Sequence, residues 1–318
     1  MAIKAVVIGA RGYVGGELLR LLQHHPLCDL VAVGSRSNAG LKVADLVTGM
    51  EGSELEFVPI SPQNLLNYPA DIYFLALPNG LAAGFVAAID QVCPESVIID
   101  LGADYRFDPG WVYGQPERLA DQLRGARRIA NPGCYATGAQ LALAPIIDSL
   151  AETPVVFGVS GYSGAGTVPS RKNDPEILAD NLLPYKLADH VHEKEVSAQL
   201  GRPVRFHPHV AAWFRGISLT VSAIMNSPQH AESLQDRYLD WYADCPLITI
   251  QTDIPELPGI RDRHGLVLGG FTVSAADKRH ISLVCVLDNL LKGAASQALQ
   301  NLNLAFALED QLMGLHDE

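Results

Sequence analysis

Apolar residues in this chain fall first into short unbroken runs and only later into alternation. Residues 5–8, 30–33, 72–77 and 97–100 are continuous apolar stretches of strand length. Such runs predict strands covered on both faces. Between them, residues 17–25 carry leucines at 18, 19, 21 and 22, and residues 80–91 have helical composition. Buried strands alternating with helices predict a parallel doubly wound α/β sheet. After Cys134 the pattern changes. An apolar helical stretch covers 138–150, and strand-like runs follow at 154–159, 217–224, 266–273 and 280–287. The runs at 217–224 and 280–287 alternate with polar residues, as in an antiparallel sheet with one solvated or interface face. This is α+β order, so a second domain is expected from about residue 133. Residues 290–312 read as a long amphipathic helix rich in Ala, Gln and Leu.

Composition narrows the partners. The 318 residues are 48% hydrophobic and carry a net charge of −12. An acidic surface argues against nucleic acid and anionic membrane as partners, and leaves room for a small anionic substrate held by a local arginine cluster. No apolar run reaches membrane-spanning length. The five cysteines, at 28, 93, 134, 245 and 285, are odd in number and form no C-x-x-C pair. That fits reduced thiols, and a cytoplasmic location is expected.

Six constellations carry candidate chemistry. Cys134 follows Asn131-Pro132-Gly133 at the start of a helical stretch, where free N–H groups and the helix dipole favour a thiolate nucleophile. A small buried cysteine is the alternative. Glycines 9, 12 and 15 stand between a strand and a helix, which suits either a dinucleotide pyrophosphate or a plain tight turn. At the end of the second strand Ser35-Arg36-Ser37 stand where NAD-selective sites place an acid, so NADP(H) is the expected cofactor. The pair His190 and His192, with Glu195 three residues on, fits acid–base work or a merely surface face. Neither this pair nor His207 and His209 has the spacing of a metal site, and no metal is expected. Arg106, Arg171 and Arg215 fit either anion ligands or structural ion pairs. The loop 160–166, Ser-Gly-Tyr-Ser-Gly-Ala-Gly, has small residues that suit an anion or simply a flexible turn.

Taken together these residues resemble a known family. GARGYVGGEL (9–18), SRSNAG (35–40), ALPNG (76–80), DLGADYRF (100–107), VYGQPE (112–117), NPGCYAT (131–137), SGYSGAG (160–166) and DNLLKGAASQALQNLNL (288–304) resemble N-acetyl-gamma-glutamyl-phosphate reductases. The likeness implies a discontinuous NADP-binding Rossmann domain (1–132 and 288–318). A catalytic and oligomerisation domain with a mostly antiparallel sheet is implied for 133–287, in a homodimer or homotetramer. The implied activity is NADPH-dependent reduction of N-acetyl-glutamyl 5-phosphate to the semialdehyde, with release of phosphate, in arginine biosynthesis. Cys134 is then the nucleophile that forms a thioester. His192 is the expected acid–base residue with Glu195 behind it, and His190 is the alternative. The cofactor set is Gly9, Arg11, Gly12, Tyr13, Val14, Gly15, Ser35, Arg36, Ser37, Pro78, Ser163 and Gly164. The substrate set is Arg106, Asn131, Ser160 and Arg215. Two departures stand out. Lys194-Glu195-Val196 replaces the family's Pro-Glu-Ile, and Thr167 replaces an arginine for which Arg171 is the candidate substitute. Reduction of the one-carbon-longer N-acetyl-aminoadipyl phosphate, or a non-catalytic dinucleotide sensor, are the competing readings.

Overall fold

The unbroken apolar runs become strands buried on both faces in the computed structural model, which describes residues 2–315. β1 (Ile3–Ile8), β2 (Cys28–Gly34), β3 (Phe57–Val58), β4 (Ile72–Leu75), β5 (Val97–Asp100), β6 (Val112–Tyr113) and β7 (Arg128–Ala130) form one sheet. Its order is β3-β2-β1-β4-β5-β7-β6 and every pairing is parallel. All residues of β4 and β5 are buried, which explains why neither shows alternation. Helices α1 (Tyr13–His24), α2 (Ala82–Val92) and α3 (Pro116–Leu123) supply crossovers. Strand order reverses beside β1, which has β2 on one side and β4 on the other. The crevice outside the carboxyl ends of strands at such a reversal is where these sheets bind ligands.

A second unit, Cys134–Gly293, begins at the cysteine itself. It contains α4 (Cys134–Leu143), β8 (Val155–Gly161), α5 (Pro175–Leu178), β9 (Leu183–Pro184), α6 (Val191–Leu200), β10 (Arg205–Ala211), β11 (Ile217–Ile224), α7 (Ala231–Trp241), β12 (Ile248–Ile250), β13 (Leu266–Val273) and β14 (His280–Leu287). The sheet order is β12-β13-β14-β11-β8-β10-β9. The expectation of a mostly antiparallel sheet gives way to a mixed one, because β8 pairs with β10 and β12 with β13 in parallel. The physical reason is connectivity: β10 follows β8 through a crossover carrying α6, and crossovers, unlike hairpins, return a strand in the same direction.

The two faces of this sheet differ. Val156, Phe206, Leu219, Val221, Leu283 and Cys285 join a buried core with Tyr135, Ala136 and Ala139 of α4. On the opposite face Phe157 pairs in register with His207 and Thr220, and Thr220 with Val284. Phe157 is 38% exposed there, so this face lacks a covering layer within the unit.

The chain then returns to the first unit, which resumes at Ala294. A π-helical turn (Leu291–Ala295) leads into α8 (Ser296–Ala305). The long amphipathic helix expected over 290–312 is therefore wrong in both length and character. Every residue of α8 is buried. Two of its side-chain amides donate internally: Asn301 Nδ2 to the Gly114 carbonyl at 2.9 Å, and Asn303 Nδ2 to those of Gln311 and Met313 at 3.1 and 2.9 Å. Buried amides with partners look like an exposed polar face when only the sequence is read.

Candidate active site

Cys134 is the first residue of α4, so the thiol sits at a helix N-terminus. It is half-buried and forms no disulfide. The backbone against it is unusual. Gly293 N donates to the Asp288 carbonyl at 2.9 Å, an i→i−5 bond that belongs to the π-helical turn. That turn presses Gly293 onto the thiol residue, and a Cβ at 293 would lie 2.7 Å from Cys134 Cβ. Only glycine fits.

An aromatic and imidazole cluster lies beside the thiol residue. Tyr135 is buried, donates its hydroxyl to the His209 carbonyl at 2.6 Å, and meets His192 edge-on with ring centroids 5.8 Å apart. His192 lies 4.9 Å from His190, and His190 lies 5.5 Å from Tyr185. The Tyr185 hydroxyl is pushed up by burial first and by the charge of Cys134 second, which places it within electrostatic reach of the thiol. His192 and Glu195 are three residues apart on α6 and so share one helix face. Glu195 is fully buried.

His190 has a different role from His192. It caps the N-terminus of α6, its Nδ1 accepting from the His192 backbone N–H at 3.2 Å. With Nδ1 an acceptor, the ring is the neutral Nε2–H tautomer. Burial, then the charges of Lys186 and Lys172, hold its pKa down to about 4. An imidazole so disposed is uncharged at neutral pH, with its one ring proton on Nε2.

The expected substrate ligands are mostly engaged internally. Arg215 sits in a carboxylate clamp, with NH1 2.7 Å from Asp262 and Nε 2.6 Å from the fully buried Asp288. In the first unit, Arg106 is buried and donates to the backbone carbonyls of Asn131 and Leu101 at 3.0 and 3.3 Å. Asn131 spans Ala294 and Asn301 with its side-chain amide, at 3.2 and 3.0 Å. Each of these three side chains already has hydrogen-bond or ion-pair partners within the protein. Ser160 and Ser163 are both buried, and Ser163 Oγ accepts from Asn289 Nδ2 at 3.0 Å. Gly164 follows Ser163 in a short 3₁₀ turn.

The dinucleotide candidates gather at the carboxyl ends of β1, β2 and β4 in the first unit. Gly9 has φ +89°, and a Cβ there would come within 2.4 Å of the Ala76 carbonyl oxygen. Gly12 caps α1, and nothing lies within 4 Å of where its Cβ would be. Arg11 is exposed, and Tyr13, Val14 and Gly15 begin the helix. The first turn of α1 carries no acid, so its N-terminus is open to an anion. Ser35 is buried at the end of β2, while Arg36, Ser37 and Pro78 are exposed. Both histidines of the other pair, His207 and His209, lie on β10. Among the described residues no group of three or more His, Cys, Asp or Glu is placed to hold a metal ion.

Comparison with known proteins fits this division. Residues 4–126 match the family described as "semialdehyde dehydrogenase, NAD binding domain", and residues 134–289 match "semialdehyde dehydrogenase, dimerisation domain". Over 304 residues the chain is 52% identical to the N-acetyl-gamma-glutamyl-phosphate reductase of Xanthomonas oryzae, covering 96% of each chain. It is 51% identical to the reductase of that name from Xylella fastidiosa, covering 96% of this chain and 91% of that one. This chain belongs to the N-acetyl-gamma-glutamyl-phosphate reductase family. The fold of this reductase family member extends to more distant proteins. Aspartate semialdehyde dehydrogenase II from Vibrio cholerae superposes with a TM-score of 0.77 at 19% identity, over 98% of this chain and all of that one.

Sequence reading missed Tyr135, Tyr185 and Lys172 around the thiol, and missed the π-helical turn. Tyr135 was adjacent to the cysteine and could have been suspected; Tyr185 and Lys172 had no local signal, since only folding brings them to His190.

The state of His190 gives a pH test. Its unfolded value near 6.5 lies above its folded value of about 4. In that window the unfolded chain binds a proton that the folded chain refuses, so stability rises with pH. The stabilisation is complete above about 6.5 and lost as pH falls through about 4, on the order of 1–3 kcal/mol. Buried Asp100 is raised to about 6, chiefly by desolvation, and opposes this trend. A His190→Asn variant keeps a capping acceptor and isolates the His190 part. Its urea midpoint, followed from pH 7 to pH 4, should fall less steeply than that of the natural protein; equal slopes would refute the assignment.

Proposed function

We propose that this protein reduces N-acetyl-glutamyl 5-phosphate to N-acetyl-glutamate 5-semialdehyde, with NADPH, through a thioester on Cys134. The observation that carries the reading is a thiol at a helix start, with His192 against the next residue along and a glycine excluding any side chain behind it. The attack of Cys134 Sγ on the acyl carbonyl expels phosphate and leaves a thioester, a better hydride acceptor than a carboxylate. The first-turn amides of α4 offer donors to the oxygen on which negative charge develops. His192 is the residue that holds the proton for this oxygen, since His190 is neutral and spent as a helix cap. Glu195 on the same face of α6 orients and supports His192.

The residues of the first unit fit a dinucleotide. The space at Gly12, the acid-free start of α1 and the buried Ser35 make a pyrophosphate cradle. Arg36 and Ser37 suit a 2′-phosphate, while Gly9, Arg11, Tyr13, Val14, Gly15 and Pro78 border the same crevice. Ser163 and Gly164 belong to the proposed set from the second unit. Bound NADPH would supply the hydride. The Asn131, Arg106 and Arg215 contacts favour a supporting role for these residues, which leaves Ser160 of the proposed substrate set. Oligomerisation through the uncovered sheet face around Phe157 agrees with the matched dimerisation domain.

Three measurements test this reading. Cys134→Ser should abolish phosphate-dependent NADP+ reduction by the semialdehyde while leaving NADP+ affinity within about twofold. His192→Asn should lower kcat by about 10²- to 10⁴-fold, and His190→Asn far less; the reverse order would move the acid–base role to His190. Arg36→Asp should raise KM for NADPH by an order of magnitude more than KM for NADH, and equal effects would remove the 2′-phosphate assignment. For the assembly, Phe157→Glu should shift the species seen by light scattering toward monomer, and an unchanged mass would place the interface elsewhere.

A further inference from the structure

Lys172 is a half-buried cation in the aromatic and imidazole cluster beside the thiol. Its Nζ lies over the Tyr185 ring, 4.9 Å from the centroid. Among the described residues no carboxylate is within ion-pair distance of it. That contrasts with Arg215, whose charge is taken by Asp262 and Asp288. Lys172 is half-buried, whereas its neighbour Arg171 is exposed, so the lysine and not the arginine turns inward.

The placement of Lys172 follows from the segment around it. Tyr185 packs edge-on to His190 at 5.5 Å, and His190 packs on His192 at 4.9 Å. The link from Tyr185 to His190 passes through two non-glycine residues in the left-handed region, Lys186 (φ 42°) and Asp189 (φ 56°). Such conformations cost about 1 kcal/mol or more each and persist where the surrounding structure enforces them. Lys172 and Lys186 both act electrostatically on His190, and Tyr185 feels the charge of Cys134. Two ammonium groups on one wall of the thiol cluster are notable in a chain with a net charge of −12.

We infer that Lys172, seated on the Tyr185 ring, binds the phosphoryl group of the acyl phosphate and of inorganic phosphate in the reverse direction. This rests on the activity proposed above. When Cys134 Sγ bonds to the acyl carbon, the carbon–oxygen bond to phosphate breaks and both its electrons leave on the phosphate oxygen. A cation seated on the Tyr185 ring, in the cluster that adjoins the thiol residue, stabilises that departing charge, and an ammonium is a compact point charge suited to it. The phosphoryl group is the better match than the substrate carboxylate, because it is bonded to the carbon that Cys134 attacks. Lys186 adds to the field from an exposed position.

The test uses two readouts on the full-length protein. In phosphate-dependent oxidation of the semialdehyde, Lys172→Met should raise KM for phosphate about ten- to hundredfold. KM values for semialdehyde and NADP+ should stay within about twofold, and Lys172→Arg should recover most of the phosphate affinity. Separately, inorganic phosphate at matched ionic strength should slow iodoacetamide alkylation of Cys134, read by mass spectrometry of its peptide, in the natural protein but not in Lys172→Met. An unchanged phosphate KM overturns the inference, and a rise confined to the semialdehyde KM overturns it in favour of carboxylate binding. If the natural protein shows no turnover, the proposed activity fails, while the alkylation experiment still decides whether Lys172 binds phosphate.

Discussion

A buried carboxylate organises the ground on which the Cys134 thiol stands. Asp288 is fully buried, and its charge is held by Arg215 and by backbone N–H groups of Leu290 and Leu291 at 2.9 and 3.3 Å and of Asp262 at 2.9 Å. Burying a carboxylate is costly unless it is paired and hydrogen-bonded, and Asp288 has both kinds of partner. These bonds fix the entry to the π-helical turn, and the turn's own bond from Gly293 to the Asp288 carbonyl brings glycine against Cys134. Rigid placement of a nucleophile is worth more than its presence, since a misplacement of about 1 Å can cost about 10²-fold. Arg215, which looks from its charge like a substrate ligand, has its guanidinium paired with Asp288 and Asp262.

The imidazoles divide their labour by the same logic of satisfied and unsatisfied atoms. His190 gives one ring nitrogen to the helix start and lies buried near two lysines, so its neutral form is favoured. His192, two residues later, is relieved of capping and faces the residue after the nucleophile. Two histidines two positions apart in sequence thus have unlike environments. In acid–base sites, separated environments are what assign the roles.

The sheet beneath them serves a different end. One face carries the core that holds α4 in place, and the other presents Phe157, His207, Thr220 and Val284 without cover. Strand alternation, already visible at 217–224 and 280–287, anticipated this two-sidedness. Strand direction could not be anticipated in the same way, because β8 and β10 are separated by a crossover whose length does not reveal where it returns.

By itself the sequence determined the parts built from near neighbours: the glycine turn after β1, the buried runs of β4 and β5, the cysteine at a helix start and the histidine pair with Glu195. Each depends on residues a few positions apart, whose spacing dictates a turn, a strand or a helix face. The tertiary structure decided what those parts meet. Lys172 over Tyr185, Tyr185 against His190, Arg215 in the grip of Asp288 and Gly293 against Cys134 join residues 5 to 159 positions apart. Contacts of that kind leave no local periodicity, because the chain closes them only when the sheets and helices pack.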